Sequence, residues 1–446
     1  MRSISLTSAD RCKRSNSLSL VTSILVVICV LAYSGLSNAA EVATVELHEK
    51  IDQLEAALKD LQDELSALRA QADKLQTSAS AVSQVPARTT ATAPESRLPS
   101  PARSDDNRLD VAGDFRLRYE NTSAHAGLPD RNRGVLRGRL GAAYKVTDAL
   151  TAGARLTTGD PGDPNTADVT MGDFVNDLDV SLDQAYIAYR FGNHRAVGGK
   201  FSNPFKRTDL VWDGDVNPYG AAAHFNLLNT GGSALSLTAI YSIIDEQVIR
   251  DDSDMLGAQL SLDTHFGSDL KLGLSAAYYD YDIGSLANAD LGDIRGNNLA
   301  PGGTAYLSDF NLFDVVATVE YTGIGEAWPL LFTGDYVKNT GAAVPEDTGY
   351  RLQFGLRQLA EVGDWRIRYG YSMAQTDAVL AAFSNDNITY ATNYRLHALT
   401  VDYMLAPHTF LDLTAYRYKR DDFSLVMQPG SNDYVDRIRF NMYVEF

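Results

Sequence analysis

The chain has 446 residues, 45% of them hydrophobic, and a formal net charge of −18. Such acidity excludes a nucleic-acid-binding protein, which needs a basic footprint. Beyond the N-terminus no run reaches the roughly 18 apolar residues of a membrane helix, but a membrane β-barrel stays open, because lipid-facing and lumen-facing residues average out along its strands.

Residues 1–39 read as a secretory signal peptide. Arg2, Arg11, Lys13 and Arg14 form a basic start, an apolar core runs from Ile24 to Tyr33, and Ser37, Asn38, Ala39 and Ala40 supply small residues for cleavage. The only two cysteines, Cys12 and Cys29, fall inside it, so no disulfide framework is expected. Residues 40–77 follow as an α-helical coiled coil in the periplasm. Leu47, Ile51, Leu54, Leu58, Leu61, Leu65, Leu68, Ala72 and Leu75 hold a heptad seam. A lone helix of this length is marginal in water, so the seam implies self-association or docking on a partner such as the cell wall. Residues 78–108 are rich in Ser, Thr, Ala and Pro and read as an extended linker.

From 109 to 446 the texture is alternation, the mark of strands with one apolar and one polar face. Phe115, Leu117 and Tyr119 alternate with Arg116 and Arg118; Leu136, Leu140, Ala142 and Tyr144 share a face opposite Arg137 and Arg139; Arg155 points the same way on the next segment. The pattern continues through Leu270 to Tyr278, Phe313 to Tyr321 and Trp365 to Met373. It ends with Ile438, Phe440, Met442, Val444 and Phe446, opposite Arg437 and Arg439. Sixteen such segments predict an all-β transmembrane antiparallel barrel with apolar residues toward lipid. Short and long connections alternate, as they do when one rim faces the periplasm and the other the outside.

The third long connection, within 199–222, reads G-K-F-S-N-P-F-K-R-T-D-L-V-W-D-G-D-V-N-P-Y-G-A-A. Phe205, Leu210 and Trp212 are too apolar for a free surface loop, while Lys206, Arg207, Asp209, Asp213 and Asp215 bring both charge signs. We read a loop folded back into the lumen, its aromatics on the wall and its carboxylates narrowing the pore. The G-K-x-x-N-P-F start and the L-x-W-D-x-D-x-N-P-x-G continuation resemble the corresponding loop of the "Putative porin" family of Gram-negative bacteria. The aromatic-rich last strand ending in Phe446 likewise resembles the closing strand of outer-membrane barrels. The resemblance implies a sixteen-stranded porin whose third loop forms an eyelet, assembled as a homotrimer in outer-membrane lipid.

The wall adds a second signal. Arg116, Arg118, Arg137, Arg139, Arg155, Arg437 and Arg439 fall on the first three and the last segments, which become neighbours if the barrel closes. Arg351, Arg357, Arg366 and Arg368 form a second group. Facing acidic loop residues, they would set a transverse field that disfavours large apolar solutes. Asp213, Asp215 and Asn217 mimic the start of a calcium loop, but Pro218 stands in place of the required glycine, which excludes an EF-hand. The seven histidines lack zinc-like spacing and no G-x-S-x-G occurs. No metal, cofactor or catalytic residue is expected. The expected function is a water-filled channel for small hydrophilic solutes and ions. The alternatives are a channel dedicated to one solute class, and a tether from outer membrane to cell wall through the coiled coil.

Overall fold

The computed structural model describes Lys59 and residues 108–446, apart from 124–128, 164, 249, 290–291, 295, 326–327 and 423–432. The expected signal peptide, coiled coil and linker lie outside the described residues, except for Lys59 and Arg108.

Among the described residues sixteen strands close a barrel. The first eight are β1 (Leu109–Thr122), β2 (Arg131–Lys145), β3 (Leu150–Thr158), β4 (Val180–Phe191), β5 (His194–Lys200), β6 (Tyr219–Thr230), β7 (Ser233–Asp245) and β8 (Ser253–Phe266). The others are β9 (Leu270–Ile283), β10 (Phe310–Tyr321), β11 (Leu330–Asn339), β12 (Thr348–Leu356), β13 (Trp365–Ala374), β14 (Tyr394–Ala406), β15 (Thr409–Arg420) and β16 (Val435–Glu445). Each pairs antiparallel with the next, and β16 returns to β1 in a register running from Asp114 opposite Glu445 to Thr122 opposite Arg437. Closure leaves no strand edge unpaired in lipid, where an unsatisfied backbone group costs several kcal/mol. A two-residue strand, Val169–Thr170, continues the ladder on β2 opposite Leu136 and Val135, beyond the point where β3 has ended.

Burial inverts the pattern of a water-soluble protein. Phe115, Leu117 and Tyr119 are about half exposed, at 53%, 49% and 54%, while their neighbours Arg116, Arg118 and Glu120 are buried at 8%, 7% and 1%. Leu256, Leu260, Phe313, Phe354, Leu399, Leu413 and Phe440 continue this exposed apolar surface around the barrel. Inside, a hydrophobic core forms where loops meet wall: Leu210, Trp212 and Leu380 pack with Tyr279, Phe310 and Leu312.

The connections alternate in length for most of the circumference, with tight turns at 192–193, 231–232 and 407–408 and long loops at 159–179, 201–218, 284–309 and 375–393. Two turns on the short side, 322–329 and 357–364, are as long as the loop at 340–347. The reason is an aromatic cluster. Trp328 and Trp365 meet edge to face at 5.6 Å, and the Arg357 guanidinium lies 4.7 and 4.6 Å from their rings, 3.4 Å from Asp364. This corrects the grouping of Arg357 with the lumen wall. Its backbone has turned out of β12, at a φ of +72°, and its side chain braces the rim.

Candidate functional site

The G-K and Y-G words at the two ends of the third long loop have a steric origin. Gly199 has a φ of +118° and a Cβ there would lie 2.3 Å from the Ala185 carbonyl oxygen; Gly220 has a φ of +140° and a Cβ would lie 2.1 Å from that of Tyr241. Only glycine lets the chain leave β5 and enter β6 this close to its neighbours. The N-P-F word makes a turn in which the Phe205 N–H donates to Asn203 Oδ1 at 2.9 Å. In the W-D-x-D word the Asp215 N–H donates to Asp213 Oδ1 at 2.9 Å, and Trp212 Nε1–H donates to the Val216 carbonyl at 3.2 Å.

The loop then crosses the barrel interior. Gln259 on β8 grips the backbone of Lys206 from both sides, accepting its N–H at 2.8 Å and donating to its carbonyl at 2.7 Å. Lys206 Nζ meets Asp263 at 2.5 Å. The Thr208 hydroxyl donates to Asp335 on β11, and Asp209 lies 3.8 Å from Arg351 on β12. Arg207 turns inward and donates to the Trp212 carbonyl at 2.9 Å. Phe205 and Trp212 pack on Tyr279, with ring centroids at 5.3 and 6.5 Å. On the opposite arc Asp215 takes Arg139 at 3.0 Å and Arg137 at 3.8 Å on β2.

A second loop, 375–393, also lies inside, and sequence reading did not single it out. Its A-V-L-A-A-F run, from Ala378 to Phe383, is as out of place in a free loop as Trp212 is. Ala378, Val379, Leu380 and Ala381 are at most 2% exposed. Phe383 stacks on Trp212 at 4.9 Å and its carbonyl accepts the Asp213 N–H at 2.7 Å. Asn387 joins the wall: Arg439 Nη1 donates to its side chain at 2.8 Å and Arg437 Nη1 to its backbone carbonyl at 2.9 Å.

The wall arginines lie on the inner face, but they do not stand as bare charge. Asp168 pairs with Arg116 and with Arg118, the latter at 2.6 Å. Asp114 takes Arg137 and Arg139 at 2.8 and 2.7 Å, Asp183 takes Arg155 at 2.5 Å, and Glu120 takes Arg439 at 2.6 Å. Asp402 takes Arg366 and Arg368 at 2.8 and 3.0 Å. Asp114, Glu120, Asp183 and Asp402 lie on strands adjacent to those of their arginines, and Asp168 lies in the loop at 159–179; sequence reading does not single them out. The wall arginines thus meet carboxylates of the wall as well as of the loops. The Arg139, Arg137 and Arg351 pairs reach the third loop, while the others close within the wall or on Asp168.

The loop carboxyls differ in charge state. Asp168 is held below the usual carboxylate range, because Arg116 and Arg118 outweigh the upward push of burial. Asp213 is raised well above it, first by burial and then by Asp386 and Asp209. Asp386 is pushed up to about 6 by burial, against the pull of Arg439.

Residues 124–290 match the model of the family described as Putative porin. No curated protein matches the chain in sequence. Among solved structures, OprB of Pseudomonas putida aligns over 76% of this chain and 94% of its own at 12% identity and a TM-score of 0.53. An anion-selective porin from Comamonas acidovorans aligns over 76% of this chain and 99% of its own at 13% identity and a TM-score of 0.47. The first of these likenesses carries the fold. The chain thus matches the Putative porin family over residues 124–290, its third loop included, and closes a sixteen-stranded barrel with the fold seen in OprB.

Proposed function

We propose that this outer-membrane channel passes small hydrophilic solutes and ions through a lumen narrowed jointly by the loops at 201–218 and 375–393. The observation that carries the reading is the crossing of the third loop from Gln259 and Asp335 on one side to Arg139 on the other. A segment tied to opposite walls divides the open cross-section. The wall around it is lined by ion pairs, which order water and penalise large apolar solutes. In this reading Asp209 and Asp215 are the loop carboxylates that ions meet. Lys206 and Arg207 hold the loop, and Asp213 shapes its turn. Three barrels assemble side by side.

Planar-bilayer recording of the purified mature protein in a salt gradient tests the reading. Discrete conductance steps in groups of three are expected. A folded barrel that gives no steps would refute an open pore, and only monomers after crosslinking in native membranes would refute the trimer. Deleting 41–107 tests the tethering alternative: a channel keeps conducting, whereas loss of envelope integrity with unchanged conduction would make tethering the main role of that segment.

A further inference from the structure

Between the two infolded loops and the wall of β12 to β16 and β1 lies a cavity of about 270 Å³. Five guanidinium groups line it: Arg116, Arg118, Arg351, Arg368 and Arg439. The carboxylates that neutralise four of them, Asp168, Glu120 and Asp402, are not part of the lining and grip the arginines from other sides. Only Asp209 and Asp412 bring negative charge to the cavity; Asp209 lies 3.8 Å from Arg351, and Asp412 lies 3.7 Å from Arg368 and accepts from Asn441 at 2.6 Å. The surface seen by a solute is therefore rich in N–H donors.

Two details add to this. Arg116 Nε is buried and makes no hydrogen bond among the described residues, a cost normally offset by a partner. Arg351 is held only loosely, 3.8 Å from Asp209 and bonded to Gln353 at 3.0 Å, so its charge is available. The rest of the lining has no large aliphatic patch. Gln353, Ser372, Asn385 and Thr400 supply short-range donors and acceptors, and the Tyr416 and Tyr443 rings offer flat faces.

We propose that this cavity is a binding subsite for a small hydroxylated carboxylate, a sugar acid of about six carbons. The carboxylate sits among the arginines, which bind it with charge-assisted hydrogen bonds. The hydroxyls meet the amides, the hydroxyl side chains and Asp209. A tyrosine ring covers the apolar face of the carbon skeleton. A neutral sugar lacks the charge for the arginines, and a simple carboxylate such as acetate lacks the hydroxyls. This inference deepens the channel reading and rests on it.

The test is single-channel recording in potassium chloride with D-glucuronate, D-glucose or acetate added at equal concentration. Glucuronate is expected to interrupt the chloride current at millimolar levels, while glucose and acetate do not. Equal interruption by acetate and glucuronate, or none by either, would overturn the subsite and leave the channel standing. Absence of all conductance would refute the channel instead. In that case equilibrium binding of glucuronate to the detergent-solubilised full-length protein decides the subsite separately, with no saturable binding overturning it. Arg351→Gln should weaken glucuronate binding about tenfold, the loss of one charge-assisted contact. Lys271→Gln, on the far side of the barrel beside Glu320, should not change it. Folding of each variant is checked by its heat-shifted electrophoretic mobility. If Arg351→Gln fails to fold, Gln353→Leu tests the same wall, and unchanged glucuronate binding in a folded variant overturns the proposal.

Discussion

Neutralising Asp215 while leaving its shape separates charge from architecture in the third loop. Asp215 carries the loop's contact with Arg139 and Arg137, and its side chain is 18% exposed. In Asp215→Asn the two arginines keep Asp114 as a partner, so the fold survives but one negative charge leaves the lumen. For an ion passing about 7 Å away in water-like surroundings, Coulomb's law gives roughly 0.6 kcal/mol per ion, opposite in sign for anion and cation. Screening at about 0.1 M salt halves this, which leaves a shift of about threefold in the anion-to-cation permeability ratio. In a tenfold gradient of potassium chloride a nonselective pore would then move its reversal potential by about 20 mV in the anion direction, given about 59 mV per decade for a single charge. Asp213→Asn should move it far less, because that carboxyl is buried away from the lumen at 5% exposure and burial disfavours its charged form. An unchanged reversal potential in Asp215→Asn, or an equal shift from Asp213→Asn alone, would refute the placement of Asp215 beside the ion path.

Trp212→Ala removes the stack on Phe383 and Tyr279, and the loss of a buried Trp costs about 3–5 kcal/mol; trypsin should then cut after Lys206 or Arg207 in the folded barrel, and continued resistance would count against the stack as the anchor. Gly220→Ala forces a Cβ to within 2.1 Å of the Tyr241 carbonyl oxygen at a φ of +140°, so urea unfolding should start about 1–3 kcal/mol earlier; an unchanged midpoint would refute the strain. Asp386 has its folded-state pKa raised to about 6, above the roughly 3.9 of an unfolded aspartate, so protonation favours the folded loop. The contribution of Asp386 to loop stability is therefore full below about pH 4 and is lost as pH rises through about 6. Protease resistance of 375–393 should follow that window and become flat in Asp386→Asn, and a pH-independent wild type would refute the assignment.

Strand identity was legible because lipid and lumen impose opposite chemistry on successive side chains, so Phe115, Arg116, Leu117 and Arg118 announce their faces without any knowledge of neighbours. The barrel count followed from repeating that reading. What a single strand does not disclose is register. Asp114 is one inward residue among many until the ladder brings it opposite Arg139, and Asp402 acquires meaning only beside Arg366. The third loop stood out because Trp212 and charged residues share a short stretch. The loop at 375–393 did not, since its apolar run from Ala378 to Phe383 carries neither charge nor Trp. Its burial depends on the shelf that Trp212, Asn297 and Asn339 provide from elsewhere in the chain.

The seam between β1 and β16 bears on how the barrel finishes assembling. Its inner face sets Glu120 opposite Arg439 and Arg118 opposite Asn441. Sliding β16 by two residues one way would bring Arg118 opposite Arg439; sliding it the other way would put Asn441 opposite Glu120 and Arg439 opposite Thr122. Because side chains alternate with period two, such a slip would keep every apolar residue in lipid, and hydrophobicity alone could not reject it. The charge sequence can. The last strand to join therefore has its docking position checked electrostatically, and a charge reversal at Glu120 should appear first as slow or misregistered closure, before any effect on conduction.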